Sequence, residues 1–384
     1  MENMRKIVLL LNPSRTYTRG LLSGIAKYAR LQGLWTFYRP LEYREPKARR
    51  GLLQVLKTLE PDGIFMREPA EMKQIIAMDI PTVSFSYSRE IIPGIANVIT
   101  DHRAVGELAA QHFLDRGFRR FAYCGFDDWW WSCRRRDGFC QVAGAAGYET
   151  DVYQLPSKSR RSWAKELPLV ADWLRSLEKP IALLACNDDR GELVVEACKV
   201  AGLSVPDQVA IMGVDNDALV CDLCSPPLSS VALSLEKAGY ESAALLDRMM
   251  TGKLDKASHI HIEPTHIVAR QSTDILAVED AEVAKAIRFI RQHAKTNINV
   301  QEVVHRVSLS RRVLEKRFRQ ILGKSIHEEI RCARVELLVK MLSETQMSIS
   351  EIAQALDFDD VTHLSRYFRK EKGLSPLQYR KQKT

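Results

Sequence analysis

No stretch of this 384-residue chain approaches the ~20 consecutive apolar residues that a membrane-crossing helix needs, so no membrane partner is expected. The first apolar run, residues 7–11, is short and lacks a small-residue cleavage pattern, so no secretory leader is expected either. Eight cysteines are scattered along the chain. Only Cys221 and Cys224 form a CxxC, and no second pair or nearby His completes a zinc set. That usage argues against a disulfide framework and a structural zinc, and it fits a reduced, cytoplasmic chain without metal or cofactor. Phosphate-binding loops are missing as well. There is no GxGxxG, no Walker loop and no GxSxG, which removes the usual marks of dinucleotide enzymes, NTPases and α/β-hydrolases. The first 280 residues also lack net charge, with 35 Lys and Arg against 36 Asp and Glu. The rest of the chain carries 21 against 12, a net of +9. A basic excess confined to one end is the footprint of a surface that meets phosphate.

That basic end repeats itself. Leu314, Phe318, Gly323 and Ser325 recur as Leu364, Phe368, Gly373 and Ser375, each 50 positions on. Val300, Val303, Val304, Val307 and Leu309 recur 49 positions on as Ile349, Ile352, Ala353, Leu356 and Phe358. One residue is therefore inserted in the second copy, where a turn would lie. Such a duplication implies two copies of one supersecondary unit. Each copy reads as helix, short turn, helix. The apolar positions keep helical spacing, Ser310 and either Asp359 or Asp360 suit N-caps, and Gly323 and Gly373 end the second helices. The faces left outside carry Arg311, Arg312, Glu315, Lys316 and Arg319 in one copy. In the other they carry Val361, Thr362, His363, Arg366, Arg369 and Lys370. A helix-turn-helix presents its second helix to the major groove, so two copies suit two successive grooves of double-stranded DNA. The bland alternative, a helical bundle with solvated charges, leaves the duplication and the charge asymmetry unexplained.

The motif Ile352-Ala353-Gln354-Ala355-Leu356, with Phe358, Leu364-Ser365-Arg366-Tyr367-Phe368-Arg369-Lys370, Gly373 and Ser375-Pro376-Leu377-Gln378-Tyr379-Arg380, resembles the DNA-binding domain of the AraC/XylS regulators. The resemblance covers roughly the last hundred residues. It departs at Asp357, where the family usually has Gly; Asp tolerates left-handed backbone better than most residues.

The first 270 residues alternate strand and helix. Strands are predicted at residues 7–11, 35–38, 63–66, 81–86, 98–100, 120–125, 181–186, 209–214 and 230–233, with an edge strand at 259–263. Helices are predicted at 19–31, 52–59, 72–78, 103–116, 136–146, 163–176, 191–200 and 236–249. This order implies two α/β lobes with open parallel sheets and helices on both faces, and ligands in such sheets bind at the carboxyl ends of the strands. Asp101, Asn187, Asp188 and Asp215 follow strands there. Arg134, Arg135 and Arg136 follow the aromatic run Phe126, Trp129, Trp130 and Trp131. Carboxylates, an amide, a guanidinium and indoles suit a sugar, whose hydroxyls pair with the polar groups while its C–H faces pack on a ring. Asp101 and Asp188 also stand where a helix N-cap would, and the tryptophans equally suit a core or an interface.

Tyr17-Thr18-Arg19-Gly20, Asp101-His102-Arg103-Ala104-Val105-Gly106, Arg135-Arg136-Asp137-Gly138-Phe139, Cys186-Asn187-Asp188 and Gly213-Val214-Asp215-Asn216 resemble the sensor domain of LacI-type regulators and periplasmic sugar-binding proteins. The two resemblances together imply a two-lobed α/β periplasmic-binding-protein-like domain over 1–274 and a linker over 275–280. An all-α AraC-type domain with two helix-turn-helix units follows over 281–384. They imply Asp101, Arg135, Asn187 and Asp215 as sugar contacts, with Tyr17, Glu42, Tyr87 and Trp130 beside them. They further imply a small effector such as xylose or a related monosaccharide, a homodimer, RNA polymerase as a partner, and activation of a carbohydrate operon. The rival readings are an α/β enzyme with a DNA-binding tail and a DNA binder whose sensor no longer works.

Overall fold

The computed structural model describes residues 4–32, 35–40, 51–86, 91–153, 162–252, 259–275 and 280–383. The expected sites Glu42 and Tyr87 lie outside these residues. Up to residue 275 the chain forms two α/β lobes. The strands of the first are β1 (Arg5–Leu10), β2 (Trp35–Tyr38), β3 (Gly63–Met66), β4 (Thr82–Phe85), β5 (Ala96–Thr100) and β11 (His259–Ile262). They pair in the order β11-β5-β4-β3-β1-β2, all parallel. The second sheet contains β6 (Phe121–Cys124), β7 (Thr150–Tyr153), β8 (Ile181–Ala185), β9 (Val209–Val214), β10 (Ser229–Leu233) and β12 (Pro264–Val268). Its order is β12-β10-β9-β8-β6-β7, with β12 antiparallel at one edge. β3, β4, β5, β6, β8 and β9 are buried along their whole length, which is why β3, β6, β8 and β9 read as continuous apolar runs rather than alternating ones.

The helices of this part are α1 (Thr16–Gln32), α2 (Leu52–Leu59), α3 (Met72–Ile76), α4 (His102–Leu114), α5 (Trp130–Ala145), α6 (Trp163–Ser176), α7 (Asp188–Ala201), α8 (Ala218–Leu223) and α9 (Leu235–Met250). The chain passes between the lobes three times, at residues 100–102, 233–235 and 262–264. Each lobe has one tightly packed helix pair next to these crossings. In the first, α1 and α9 touch through backbone. A Cβ on Gly24 would collide with the Glu236 carbonyl, and one on Gly239 with that of Leu21. In the second, α4 and α5 do the same at Gly106 and Gly138, against the carbonyls of Arg135 and Arg103.

The remaining helices are α10 (Ala281–Gln292), α11 (Val300–Val304), α12 (Arg311–Leu322), α13 (Ile326–Glu344), α14 (Ile349–Ala355), α15 (Val361–Lys372) and α16 (Pro376–Lys383). They build two small cores. One gathers Val283, Ile287, Ile290, Val303, Leu314, Phe318, Ile326 and Ile330, the other Leu338, Leu342, Ile352, Leu356, Leu364, Phe368 and Tyr379. The long helix α13 enters both, with its first half in one core and its second half in the other. Ser310 and Asp360 cap the second helix of each unit, and Gly323 and Gly373 end them in left-handed conformation. Asp357 sits at φ 54°, so the residue that replaces the family's Gly does adopt the left-handed turn. The inserted residue falls just before the Asp360 cap. It is Asp359, whose carboxylate meets His363 Nδ1 at 3.0 Å.

Several expectations shift. α5 starts at Trp130, six residues before the predicted 136, because Trp129 rather than a polar residue precedes its first turn. β7, α8 and β12 were not predicted; each is six residues or fewer and shows no clean period. Asp188 is not an N-cap: that position is Asn187, whose side chain accepts from the Arg190 N–H at 3.1 Å.

Candidate functional site: an inter-lobe cleft and a duplicated reader

The carboxyl ends of both sheets face one cavity of about 420 Å3, a size within the ~300–1,000 Å3 of small-ligand pockets. From the first lobe it is lined by Arg15, Tyr17, Arg67 and Ser86, which follow β1, β3 and β4. From the second it is lined by His102, Phe126, Trp129, Trp131, Arg135, Asn187 and Asp215.

Arg135 is the hub. It is 2% exposed, because α5 is pressed against α4 at Gly106 and Gly138. Its Nε donates to His102 Nδ1 at 3.3 Å, its Nη1 donates to the Cys186 carbonyl, and its Nη2 donates to Asp215 Oδ1 at 3.2 Å. Its guanidinium lies 5.0 Å from the Trp131 ring centre. Four interactions fix the fork, so its direction is set before any ligand arrives. Burial, then the Arg135 and Arg67 charges, hold the His102 imidazole well below the usual range. His102 is therefore neutral and able to accept from Arg135. Burial pushes the Asp215 carboxyl up, while Arg135, Arg67 and Arg15 pull it back. Asp215 and Asn216 take φ of 101° and 50°, left-handed values that a non-Gly residue holds only when its surroundings impose them.

The other walls are set similarly. The Tyr17 hydroxyl is 3.1 Å from Thr100 Oγ1, burial raises its pKa, and the Arg67 guanidinium is 5.1 Å from the centre of its ring. The Phe126 ring lies 4.7 Å from the guanidinium of buried Arg190, which pairs with buried Glu166 at 2.5 Å. This aromatic wall thus rests on a neutralised ion pair.

Of the expected contacts, Tyr17, Arg135, Asn187 and Asp215 line the cavity, and Asp101 and Trp130 do not. Asp101 spends its carboxylate on the first turn of α4, accepting from the Ala104 N–H at 2.9 Å. Trp130 packs edge-on against the His102 ring at 5.5 Å, with Arg134 5.7 Å from its ring centre, and leaves the wall to Trp129 and Trp131. Arg15, Arg67 and Ser86 were missed, although the strand-end rule that found Asn187 and Asp215 reaches them too.

The reader faces are laid out alike. Burial along α12 and along α15 follows the same pattern, with Leu314 and Phe318 matching Leu364 and Phe368 inside. Arg311, Arg312, Lys316 and Arg319 are exposed on α12, and Glu315 is half-buried. Val361, Thr362, His363, Arg366, Arg369 and Lys370 are exposed on α15. Among the described residues no helix is long and apolar enough to cross a membrane.

Comparison with known proteins agrees with both halves. The family described as periplasmic binding protein-like domain matches residues 110–273, and that described as helix-turn-helix domain matches residues 303–382. The chain is 29% identical to the xylose operon regulatory protein of Escherichia coli (strain K12), over 98% of this chain and 96% of that one. It is 28% identical to the protein of that name from Haemophilus influenzae, over 99% of each. The solved structure of the xylose-binding transcription activator xylR is 28% identical and covers 100% of this chain and 99% of that one, with a TM-score of 0.62. With these two domains in this order, and with relatives that match it end to end, the chain is similar over its whole length to helix-turn-helix transcription regulators that carry a periplasmic binding protein-like domain.

Proposed function

We propose that this regulator senses a small sugar, xylose or a related monosaccharide, in the inter-lobe cleft and passes that state to its DNA reader. The observation that carries the reading is the pair between Arg135 of α5 and Asp215 at the end of β9, which lines the cavity between the two lobes together with Trp129 and Trp131. A guanidinium and a carboxylate with fixed directions match adjacent hydroxyls, and the indoles match the C–H face of a pyranose. The sugar acts by preferring the closed lobes, since only a difference in affinity between two states shifts them. A preference of about 4 kcal/mol shifts that balance roughly a thousandfold.

The sensor spans residues 1–274 and the reader 281–384, with 275–280 as linker. On the reader, Arg312, Glu315, Lys316, Thr362, His363 and Arg366 face base edges, where Arg to guanine is the commonest specific contact. Arg311, Arg319, Arg369 and Lys370 meet phosphates, and Val361 lies beside them on the same face. Two copies of the chain bind a promoter in the cytoplasm, at the nucleoid, and activate a carbohydrate operon through RNA polymerase. The chain catalyses no reaction on its sugar, which is expected back unchanged after incubation.

Calorimetry against neutral pentoses, hexoses and deoxysugars, and also uronates because three guanidiniums line the cavity, tests the reading. One sugar is expected to bind and to change operator affinity, with Arg135→Ala and Asp215→Ala each weakening it at least tenfold. Full binding in both variants sinks the assignment of the site.

A further inference from the structure

Helix α4 begins in the cleft and ends on the reader. His102, its first residue, lines the cavity and accepts from Arg135. Thirteen residues on, a rise of about 20 Å, its C-cap Asp115 meets the DNA-binding half of the chain. Asp115 Oδ1 accepts from Lys324 Nζ at 2.8 Å, and its carbonyl accepts from Arg291 Nη2 at 3.3 Å. Behind them lies Glu329, 3% exposed, at 3.4 Å from Lys324 and 3.7 Å from Arg291. Lys324 immediately follows Gly323, which ends reading helix α12, and Glu329 is in the first turn of α13. A second contact reaches the other reading unit: the Tyr379 hydroxyl of α16 donates to the Thr265 carbonyl of β12 at 3.1 Å.

We propose that α4 is the element that links cleft to reader, and that the Asp115–Lys324–Glu329–Arg291 cluster is the joint that positions the first reading helix. The proposal rests on the cleft being the effector site. Rigidity at the cleft end comes from the backbone contact of α4 with α5, because Gly106 abuts the Arg135 carbonyl and the chain that aims Arg135 cannot move without α4. The other end is built to rearrange. Its direct contacts are ionic, an open cavity of about 380 Å3 lies beside them, and two buried groups there, His112 Nε2 and Arg116 Nε, have no hydrogen-bond partner among the described residues. An apolar seal would fix one arrangement, whereas a polar inter-domain contact of this kind allows two. Asp115 and Lys324 touch neither sugar nor DNA in this scheme; they are positioning residues.

The test uses the full chain. Asp115→Arg sets a guanidinium against Lys324 and Arg291, and Lys324→Asp in the same chain restores opposite charges with the net charge of the cluster unchanged. Without ligand, hydrogen exchange at the last turn of α4 and the first turn of α13 is expected to speed about tenfold in Asp115→Arg and to recover in the double variant. Asp115→Asn, which removes charge without adding repulsion, is the milder arm, at about threefold. With D-xylose as probe, the effector-induced change in operator affinity is expected to vanish in Asp115→Arg and to return in the double variant. Unliganded operator affinity should stay within about threefold throughout. Equal exchange rates in all the chains overturn the joint, and a xylose response that persists in Asp115→Arg overturns its signalling role. If no sugar of the panel acts on the wild type, the effector reading fails and the signalling role with it, while the exchange rates still decide the joint.

Discussion

Asp188 shows what a side chain can become when the fold closes over it. Its carboxyl is 3% exposed and accepts from Ser230 Oγ at 2.6 Å and from the Asp217 N–H at 2.7 Å. Burial first, and then the charge of Asp215, push its pKa up from 3.8 to about 8. The folded chain therefore holds this proton more tightly than the unfolded one. Its contribution to stability is full in acid and declines as pH rises from 3.8 toward about 8. Asp188→Asn keeps the shape and removes the titration, with the amide oxygen placed to accept from Asp217 and the NH2 to donate to Ser230. The melting temperature of the wild type should fall more steeply between pH 5 and pH 8 than that of the variant, and parallel profiles would count against a proton held there. Nothing in the sequence separates Asp188 from Asn187 and Asp189. A one-residue step around the start of α7 puts Asn187 on the cavity wall and the cap, and Asp188 in the interior.

Helix-scale features were the most legible. The duplication, the caps at Ser310 and Asp360 and the stops at Gly323 and Gly373 are local, and local spacing sets them. So is the amphipathic face of each reading helix, because Leu314 and Phe318, or Leu364 and Phe368, need only be four apart to share a core. The reader makes a prediction at this scale. Arg366→Ala should cost about 1–3 kcal/mol at one base position of the operator, whereas Arg369→Ala should weaken all sequences alike and lower the salt slope by about one. Binding titrations on operator variants at two salt concentrations separate the two, and a uniform loss for Arg366→Ala would reassign it to the phosphates. Short elements were less legible. β7, α8 and β12 have four to six residues each, too few for a period to rise above composition. The start of α5 was missed because its first turn is aromatic, and with it which tryptophans face the cavity: Trp129 and Trp131 line it, and Trp130 packs on His102.

Across the whole molecule, the two lobes are tied over the cleft mouth. Arg19 of α1 pairs with Asp217 at 2.8 Å, Asp217 also accepts from the Thr16 N–H at 3.3 Å, and Arg15 pairs with Asp189. These ties join residues some two hundred positions apart and exist only when the lobes approach. Arg19 is 45% exposed, so solvent screens its pair and its worth is at most about 1 kcal/mol. Arg19→Ala should weaken effector binding by up to about fivefold without touching the cavity lining, as read by calorimetry with the sugar identified from the panel. An unchanged affinity would mean that these ties do not bias closure.

The sequence by itself determined that there are two kinds of architecture here, that the basic excess lies in the second, and that its helices come as a duplicated unit. Those follow from period, capping and charge, all of which act within a few residues of chain. Only the tertiary structure decided which polar side chains share the cleft, that Arg135 is locked by His102, the Cys186 carbonyl and Asp215, and that α4 ends against Lys324. Those depend on three crossings between lobes and on where glycines let helices touch, and a burial or a contact between residues 33 to 209 positions apart leaves no local mark in the amino acids that make it.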